Sequence, residues 1–567
     1  MFIKVTKSGP RHYVQLVEAF RDDTGRPKQR TVATLGRLDH LGDSIKSMHE
    51  GLSRILGGEP AGSLGNGTPR FESSRALGDV WVLTQIWKQL GLDKLRQVLR
   101  KHSRHKINLE ALLRLMVMNR LCDADSKLGA LRWMQTVSLP DMDLSWVNHQ
   151  QLLRTMDALL EHQDVIDGVL ADAVRPLVNE DLSVVFYDMT TVRAEGLSQS
   201  TQDIRQFGKS KEGGIARQFM LGLVQTAEGI PLYHEVFAGN TAEVGTLKAS
   251  LLKVLERFPV RRVIAVADRG LLSLDNLEEL RQIVLPSGVP LEFILAVPGR
   301  RYNDFAELLA PFNERAQDAG ETESIGEETW NDLRLVIAHD PQRATEETKQ
   351  RDATIAALET QATQWVGKLD SQDEGQRSRG RQLSDGGVRA RFYHEVCEQR
   401  LRRIIRVDLK SELFTYDIDD KALALARAMD GKLLLVTNVK DLVPEEIVKR
   451  YKSLADIERG FKMLKSDIEI GPVYHRLPDR IRAHAYICFI ALVLARVMRA
   501  RLHRTPVPDV QSPERALSML RKIQTHKVTF DAQTPITGIS AIDTEQTAVL
   551  ASLEVKKPTA DVAYVNL

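Results

Sequence analysis

Cysteine is scarce in this chain: Cys122, Cys397 and Cys488 are all there is, far apart and odd in number. That excludes a disulfide framework and a cysteine-based zinc site, and it suits a reducing compartment. An excess of charge of either sign is missing too, since 78 Lys and Arg stand against 76 Asp and Glu. Net charge therefore does not announce a polyanion partner, and any basic surface has to be local. Long apolar runs are also absent. The longest, Ala485 to Ala495, falls well short of the roughly 20 residues a membrane span requires, and the start, MFIKVTKSGPRHY, lacks the apolar core of a signal peptide. The expectation is a cytoplasmic protein with no membrane attachment. With 567 residues, 43% of them hydrophobic, the chain can bury several cores, and its length suggests about three or four domains or a large domain with insertions. It carries no detectable internal repeat.

What is there changes character along the chain. Residues 1–56 open with the alternating runs FIKV, YVQLVEAF and RTVATL, separated by SGP and DDTGRP, which predicts a small three-stranded basic β module. Residues 57–69 are rich in Gly, Pro and Ser and read as a linker. Residues 70–180 form the next domain, in which from Gly78 to about Val178 apolar residues recur at helical spacing, as in Val80, Leu83, Trp87 and Leu90 before Gly91, so this is a helical domain. Residues 181–300 then read strand, strand, strand, helix, strand, the first part of an α/β core of mixed sheet. Residues 301–430 interrupt it as an α+β insertion domain with a long polar helix and a hairpin, RIIRVDL with LFTYDID. Residues 431–505 resume the core with the strand KLLLVTN and two helices, and 506–567 form a C-terminal region with a helix capped by Ser512 before Pro513.

One stretch stands apart: VPEEIVKRYKSLADIERGFKMLK, Val443 to Lys465. Proline and two acids at its start and lysines at its end predict a helix. Tyr451, Leu454, Glu458 and Lys465 are spaced so that about 3.6 residues per turn keeps them on one face, with Phe461 and Lys462 on the same stripe. Two further acids, Asp188 and Asp268, follow hydrophobic strand sequences, FYD and VAD. A lone Asp at a strand end is an ordinary turn or capping residue. Three carboxylates delivered by rigid elements are what hard divalent cations and two-metal phosphoryl transfer require.

YDMTTV around Asp188, FGKSKEGGIARQFMLGLV from Phe207, EVFAGNTAEVGTL from Glu235, VADRGLLS around Asp268 and the 451–465 stretch together resemble the DDE transposases of the bacterial insertion-sequence-four family. The family signature is Tyr, two residues, Arg, three, Glu, six, Lys; Tyr451, Glu458 and Lys465 fit it, and Leu454 stands where Arg is expected. The resemblance implies an RNase H-like mixed-sheet catalytic core holding two Mg²⁺ ions, or Mn²⁺ in their place, on Asp188, Asp268 and Glu458. It further implies cleavage of transposon ends and joining of the 3′-hydroxyls to target DNA. Phosphate contacts are expected from Tyr451, Lys465 and Lys211, with Lys452 or Lys462 replacing the missing Arg. A homodimer on double-stranded DNA, in a bacterial cytoplasm and at the nucleoid when bound, is implied as well. The competing readings are a non-catalytic DNA-binding descendant of a transposase and a nuclease of the same fold that cuts without joining. A P-loop fails, because Asp203 stands where its first Gly is required. His234 and His484 lack partners at ligand spacing and are expected to be structural, and Met116 and Met118 to be core.

Overall fold

The computed structural model describes residues 2–8, 11–21, 27–37, 69–103, 107–142, 146–178, 183–196, 203–210, 213–241, 246–258, 262–267, 274–285, 287–318, 322–374, 383–530 and 535–559. The chain divides into two compact units, Met1–Val263 with Ile283–Pro290 and Leu454–Leu567, and Ile264–Gln282 with Leu291–Ser453. Asp268 and Lys211, two of the expected site residues, lie outside the described residues.

In the first unit the alternating N-terminal runs form β1 (Phe2–Ser8), β2 (Arg11–Arg21) and β3 (Pro27–Arg37), an antiparallel meander in that order. Tyr13 of β2 is buried and its hydroxyl donates to Asp125 Oδ2 at 2.9 Å. Arg11 donates to both carboxylate oxygens of Glu469, at 2.8 and 2.9 Å. Next comes β4 (Pro69–Ala76), a strand the sequence did not announce, just ahead of the helices, which begin at Gly78 as expected. The helices that follow are capped as their sequences dictate. Gly78–Gln89 stops at Gly91, which takes the left-handed φ of 73° that favours glycine. Leu109–Cys122 starts at Asn108, whose side chain accepts from Ala111 N, and His149–Glu161 starts in a capping box of Asn148 and Gln151.

These helices pack around Pro478–Arg504, a 27-residue helix whose most apolar window is long and hydrophobic enough to cross a membrane by composition, yet is 94% buried within the protein. It is longer than its apolar run suggested, because basic residues extend both ends. Met116 and Met118 lie in the same core.

The sheet of this unit contains β5 (Ser183–Arg193), β6 (Gln206–Lys209), β7 (Ile215–Thr226) and β8 (Pro231–Ala238). β7 pairs antiparallel with β5 along one edge and with β6 and then β8 along the other. Side chains alternate between the two faces, and directly opposed residues share a face. On one face Tyr187 donates to Thr246 Oγ1 at 2.7 Å, beside the helix Leu247–Arg257, and Lys253 of that helix reaches Glu235 at 2.7 Å. On the other, His234 stacks on Phe489 of the long apolar helix, with ring centroids 4.5 Å apart.

In the second unit β9 (Val263–Ala267) runs parallel to β10 (Glu292–Ala296). β11 (Ser324–Trp330) and β12 (Leu333–His339) form a hairpin whose two turn residues, Asn331 and Asp332, both take positive φ, 47° and 60°, the turn geometry that matches strand twist. The polar helix Pro341–Asp373 is capped by Asp340, and it packs with Asp385–Glu398 and the hairpin β13 (Ile405–Val407) and β14 (Tyr416–Ile418). Ile355, Leu358, Val388, Phe392, Ile405 and Phe414 form a core of their own there. β15 (Lys432–Thr437) lies antiparallel between β10 and β12, so the α/β expectation of a mixed sheet holds.

Back in the first unit, Ser512 caps Pro513–Leu520 by accepting from Arg515 N. β16 (Gln524–Phe530) pairs with β17 (Ile536–Ile539) on one edge and with β4 on the other, tying the C-terminal region to the start of the helical part.

Candidate active site

Asp188 is not at a strand end. The strand continues through Met189–Arg193, because MTTV remains β-branched and apolar and keeps pairing with β7. Asp188 therefore sits in mid-strand, opposite Leu223, half-buried, with Oδ1 accepting from Met189 N at 2.7 Å. Alternation sends Tyr187 and Met189 toward the Leu247–Arg257 side and Asp188 to the opposite face. Thr246, whose hydroxyl lies 2.7 Å from Tyr187 and 3.1 Å from the Met189 sulfur, marks that first side.

The stretch Val443–Lys465 is not one helix. It forms Pro444–Lys452 and Ala455–Ser466, separated by a turn at Ser453–Leu454. Ser453 Oγ donates back to Lys449 O at 3.1 Å, and Leu454 is only 7% exposed. Tyr451 lies on the first helix and Glu458, Lys462 and Lys465 on the second, so the stripe expected from Tyr451 to Lys465 is not carried by one helix. What remains on one helix is Glu458, Lys462 and Lys465, four and seven residues apart on one face. Glu458 and Lys462 are exposed and Lys465 is half-buried. Glu458 stands at the margin of its helix's buried face, between Leu454 and Phe461, both buried.

The Glu458 helix packs against β5, and Gly460 shows on which face. A Cβ built on Gly460 would lie 3.7 Å from Leu223 Cδ2 and 3.2 Å from Gln225 Oε1. Leu223 is the register partner of Asp188, and Gln225 is two residues further along the same face of β7. The helix carrying Glu458 thus crosses the face from which Asp188 emerges. The third neighbour of Gly460 is Arg496 Nη2, at 3.1 Å, and Arg496 Nη1 comes equally near a Cβ on Gly229, whose φ is +80°. Arg496, 3% exposed on the long apolar helix, lies where those two missing side chains would be.

The sequence reading missed Gly460, Arg496 and Gln225. A partial signal was available: glycine inside a helix costs about 1 kcal/mol relative to alanine, although Gly168 and Gly367, also helical, have open space around them.

The donor set is all oxygen, and the half-buried Asp188 with Glu458 on the facing helix fits a hard divalent cation better than a soft one. Among the described residues no group of three His, Cys, Asp or Glu gathers as a metal site; Asp268, which follows the last residue of β9, is not among them. His234 and His484 are buried and uncharged near neutral pH. Burial pushes His234 down to about 3 and His484 well below the usual imidazole range, and His484 Nε2 lies 2.9 Å from Ile470 O. Of the expected phosphate contacts in the second unit, Tyr451 is half-buried, and Lys452 is paired with Glu323 at 3.2 Å. Both partners of that pair are exposed, so it is worth little and can exchange.

Comparison with known proteins places residues 179–494, over half of the chain, on the family model of the transposase DDE domain. Residues 3–61 match that of the IS1634 family transposase N-terminal domain. Among solved structures, the piggyBac transposase synaptic complex with hairpin DNA aligns at 8% identity over 78% of each chain, with a TM-score of 0.35, an overlap too loose to bear on fold or function. No curated protein matches the chain.

Proposed function

Since the chain belongs to the family of transposases with a DDE domain, we propose that it cleaves DNA at the ends of an insertion sequence and joins the freed 3′-hydroxyls to target DNA. The observation that carries this reading is the shared face: the Glu458 helix packs, through Gly460, on the side of β5 and β7 to which Asp188 is turned. In the proposal Asp188, Asp268 and Glu458 are the catalytic acids of an RNase H-like core, interrupted by the insertion 301–430. Two bound Mg²⁺ ions, or Mn²⁺ in their place, would supply Lewis acidity to the attacking and leaving oxygens. The chain's own part is to hold those carboxylates on rigid elements and to fix the phosphates beside them.

Lys462 and Lys465, on the Glu458 helix, serve the phosphates flanking the cut, with Tyr451, Lys452 and Lys211 as further contacts. Membership of the insertion-sequence-four group rests on Tyr451, Glu458 and Lys465 at signature spacing. Two ends must be brought together for joining, so the working form on DNA is a homodimer.

The test is incubation of the protein with a fragment carrying the ends of its own element and Mg²⁺, beside Glu458→Gln. The native protein is expected to nick the end and the variant to bind without cutting. Equal cleavage by both sinks the role of Glu458; binding with no cleavage by either favours a non-catalytic descendant.

A further inference from the structure

The hairpin of β6 and β7 continues the catalytic sheet beyond its packed region, and its outer face is unusual. Phe207 is 63% exposed and Ile215 81% exposed. The guanidinium of Arg217 lies 5.0 Å over the Phe207 ring and donates to Gly196 O at 3.0 Å. Register pairs Phe207 with Arg217 and Lys209 with Ile215, so an aromatic, a cation and an aliphatic share one exposed face. The opposite face is closed, since a Cβ on Gly208 would meet Gln218 and the Gly239 carbonyl within 2.6 Å.

The face has an orientation. Ile215 and Arg217 share the odd positions of β7 with Leu223 and Gln225, and β7 pairs with β5 without a register shift. They therefore project to the side on which Asp188 emerges and the Glu458 helix packs. Six residues separate Arg217 from Leu223, the partner of Asp188, which at 3.2–3.4 Å per residue is about 20 Å. At about 3.4 Å per nucleotide of one strand, that span corresponds to about six nucleotides from a phosphate at the proposed cation site of Asp188.

We propose that this hairpin face is a DNA-stacking platform: Phe207, backed by Arg217, packs against the bases or sugars of the DNA strand within about six nucleotides of the cut, with Ile215 as its apolar rim. An exposed aromatic stacked with arginine suits nucleic acid because every base offers a π-face, and the cation meets the neighbouring phosphate. A second copy of the chain is the other occupant an exposed apolar face could take, and self-association measured beside DNA binding separates the two. The proposal rests on the transposase reading above and adds a surface to it.

The test uses the full chain and a fragment carrying the element's ends, with 5-iododeoxyuridine placed at successive positions up to ten nucleotides either side of the cut. Irradiation is expected to cross-link the peptide 206–217 within six nucleotides of the cut. Phe207→Ala is expected to abolish that cross-link and weaken end binding about 5- to 150-fold, the range for loss of one stacking aromatic. Phe207→Tyr is expected to restore both. Phe207 and Ile215 are exposed, so the variants should melt with the native protein. Native binding and cutting with no cross-link to 206–217, or with Phe207→Ala binding as the native protein does, overturns the platform and leaves the transposase reading standing. Self-association lost in Phe207→Ala, with DNA binding intact, assigns the face to a second copy and also overturns it. A native protein that neither binds nor cuts the fragment overturns both.

Discussion

Gly460→Ala isolates the packing that holds the Glu458 helix on the sheet. The new methyl would sit 3.1 Å from Arg496 Nη2 and 3.2 Å from Gln225 Oε1, a few tenths of an ångström inside ordinary contact. Neither neighbour retreats easily, since Arg496 is 3% and Gln225 0% exposed. Overpacking of this kind costs about 1–3 kcal/mol, whereas replacing a helical glycine by alanine returns about 1 kcal/mol. The net loss of stability is therefore about 0–2 kcal/mol, small enough for the protein to stay folded. The geometry is less forgiving: the helix must lift from β7, and a misplacement of about 1 Å can cost on the order of 100-fold in rate, so a few tenths should cost roughly 3- to 10-fold. Single-turnover nicking of an end fragment at saturating protein reads that rate, and a gel shift reads binding, which should not change. Adding Gln225→Ser makes room for the methyl and is expected to recover most of the rate, a coupling that independent sites would not show. Gly460→Ala cutting at the native rate would refute the claim that this contact positions Glu458.

Two further perturbations read other parts of the first unit. Asp79 is fully buried and accepts from Arg521 Nε at 2.7 Å and from Val80 N at 2.8 Å; Asp79→Ala leaves the guanidinium without that carboxylate and should cost about 3 kcal/mol in urea unfolding, and a loss under 1 kcal/mol would count against the pair. His234 and His475 are held at about 3 and about 4, chiefly by burial. Because the unfolded chain takes up those protons first, near pH 6.5, stability is expected to fall as pH drops from about 6.5 toward 4 and to be flat in this contribution above that window. The urea midpoint should therefore fall less between pH 7.5 and 5 in His234→Phe/His475→Gln than in the native protein; equal falls would refute it.

Elements whose signal is local were legible. The three N-terminal strands, the hairpin of β13 and β14 and the Ser512 cap follow from alternation, turn residues and capping chemistry within a few residues of each other. What escaped depends on partners far along the chain. β4 is polar, FESSRA, and becomes a strand because β16, some 450 residues later, pairs with it. Asp188 was expected at a strand end because it follows a hydrophobic strand run; Thr190 and Thr191 beyond it are nonetheless buried and paired. Periodicity drew one helix through Ser453, since the apolar repeat continues across the turn at Ser453–Leu454. That Asp188 and the Glu458 helix share a face was implied only by the resemblance: its physical basis is the register of β5 on β7, which leaves no local trace, and a contact at Gly460 whose partners the glycine does not name. The roles of Asp268 and Lys211 still rest on the sequence resemblance.

Leu454 is where the chain departs from the transposase signature, and the structure gives that departure a physical reason. The residue is the N-cap of the Glu458 helix, in helical φ/ψ, and only 7% exposed. Leu454→Arg would restore the signature while removing a buried leucine, worth about 1.5–3 kcal/mol, and would set a cation at a helix start, where the dipole opposes it by a further 0.3–1 kcal/mol or so. A long arginine can carry its head to water along its own stem, which recovers part of the first loss. The expected result is a destabilisation of about 1–3 kcal/mol in urea unfolding and no gain in cutting rate. Leu454→Met, which keeps the volume and the apolarity, should stay within about 1.5 kcal/mol of the native protein. If Leu454→Arg instead matched the native protein in stability and cut faster, the buried leucine would be dispensable and the missing arginine a true defect of the site.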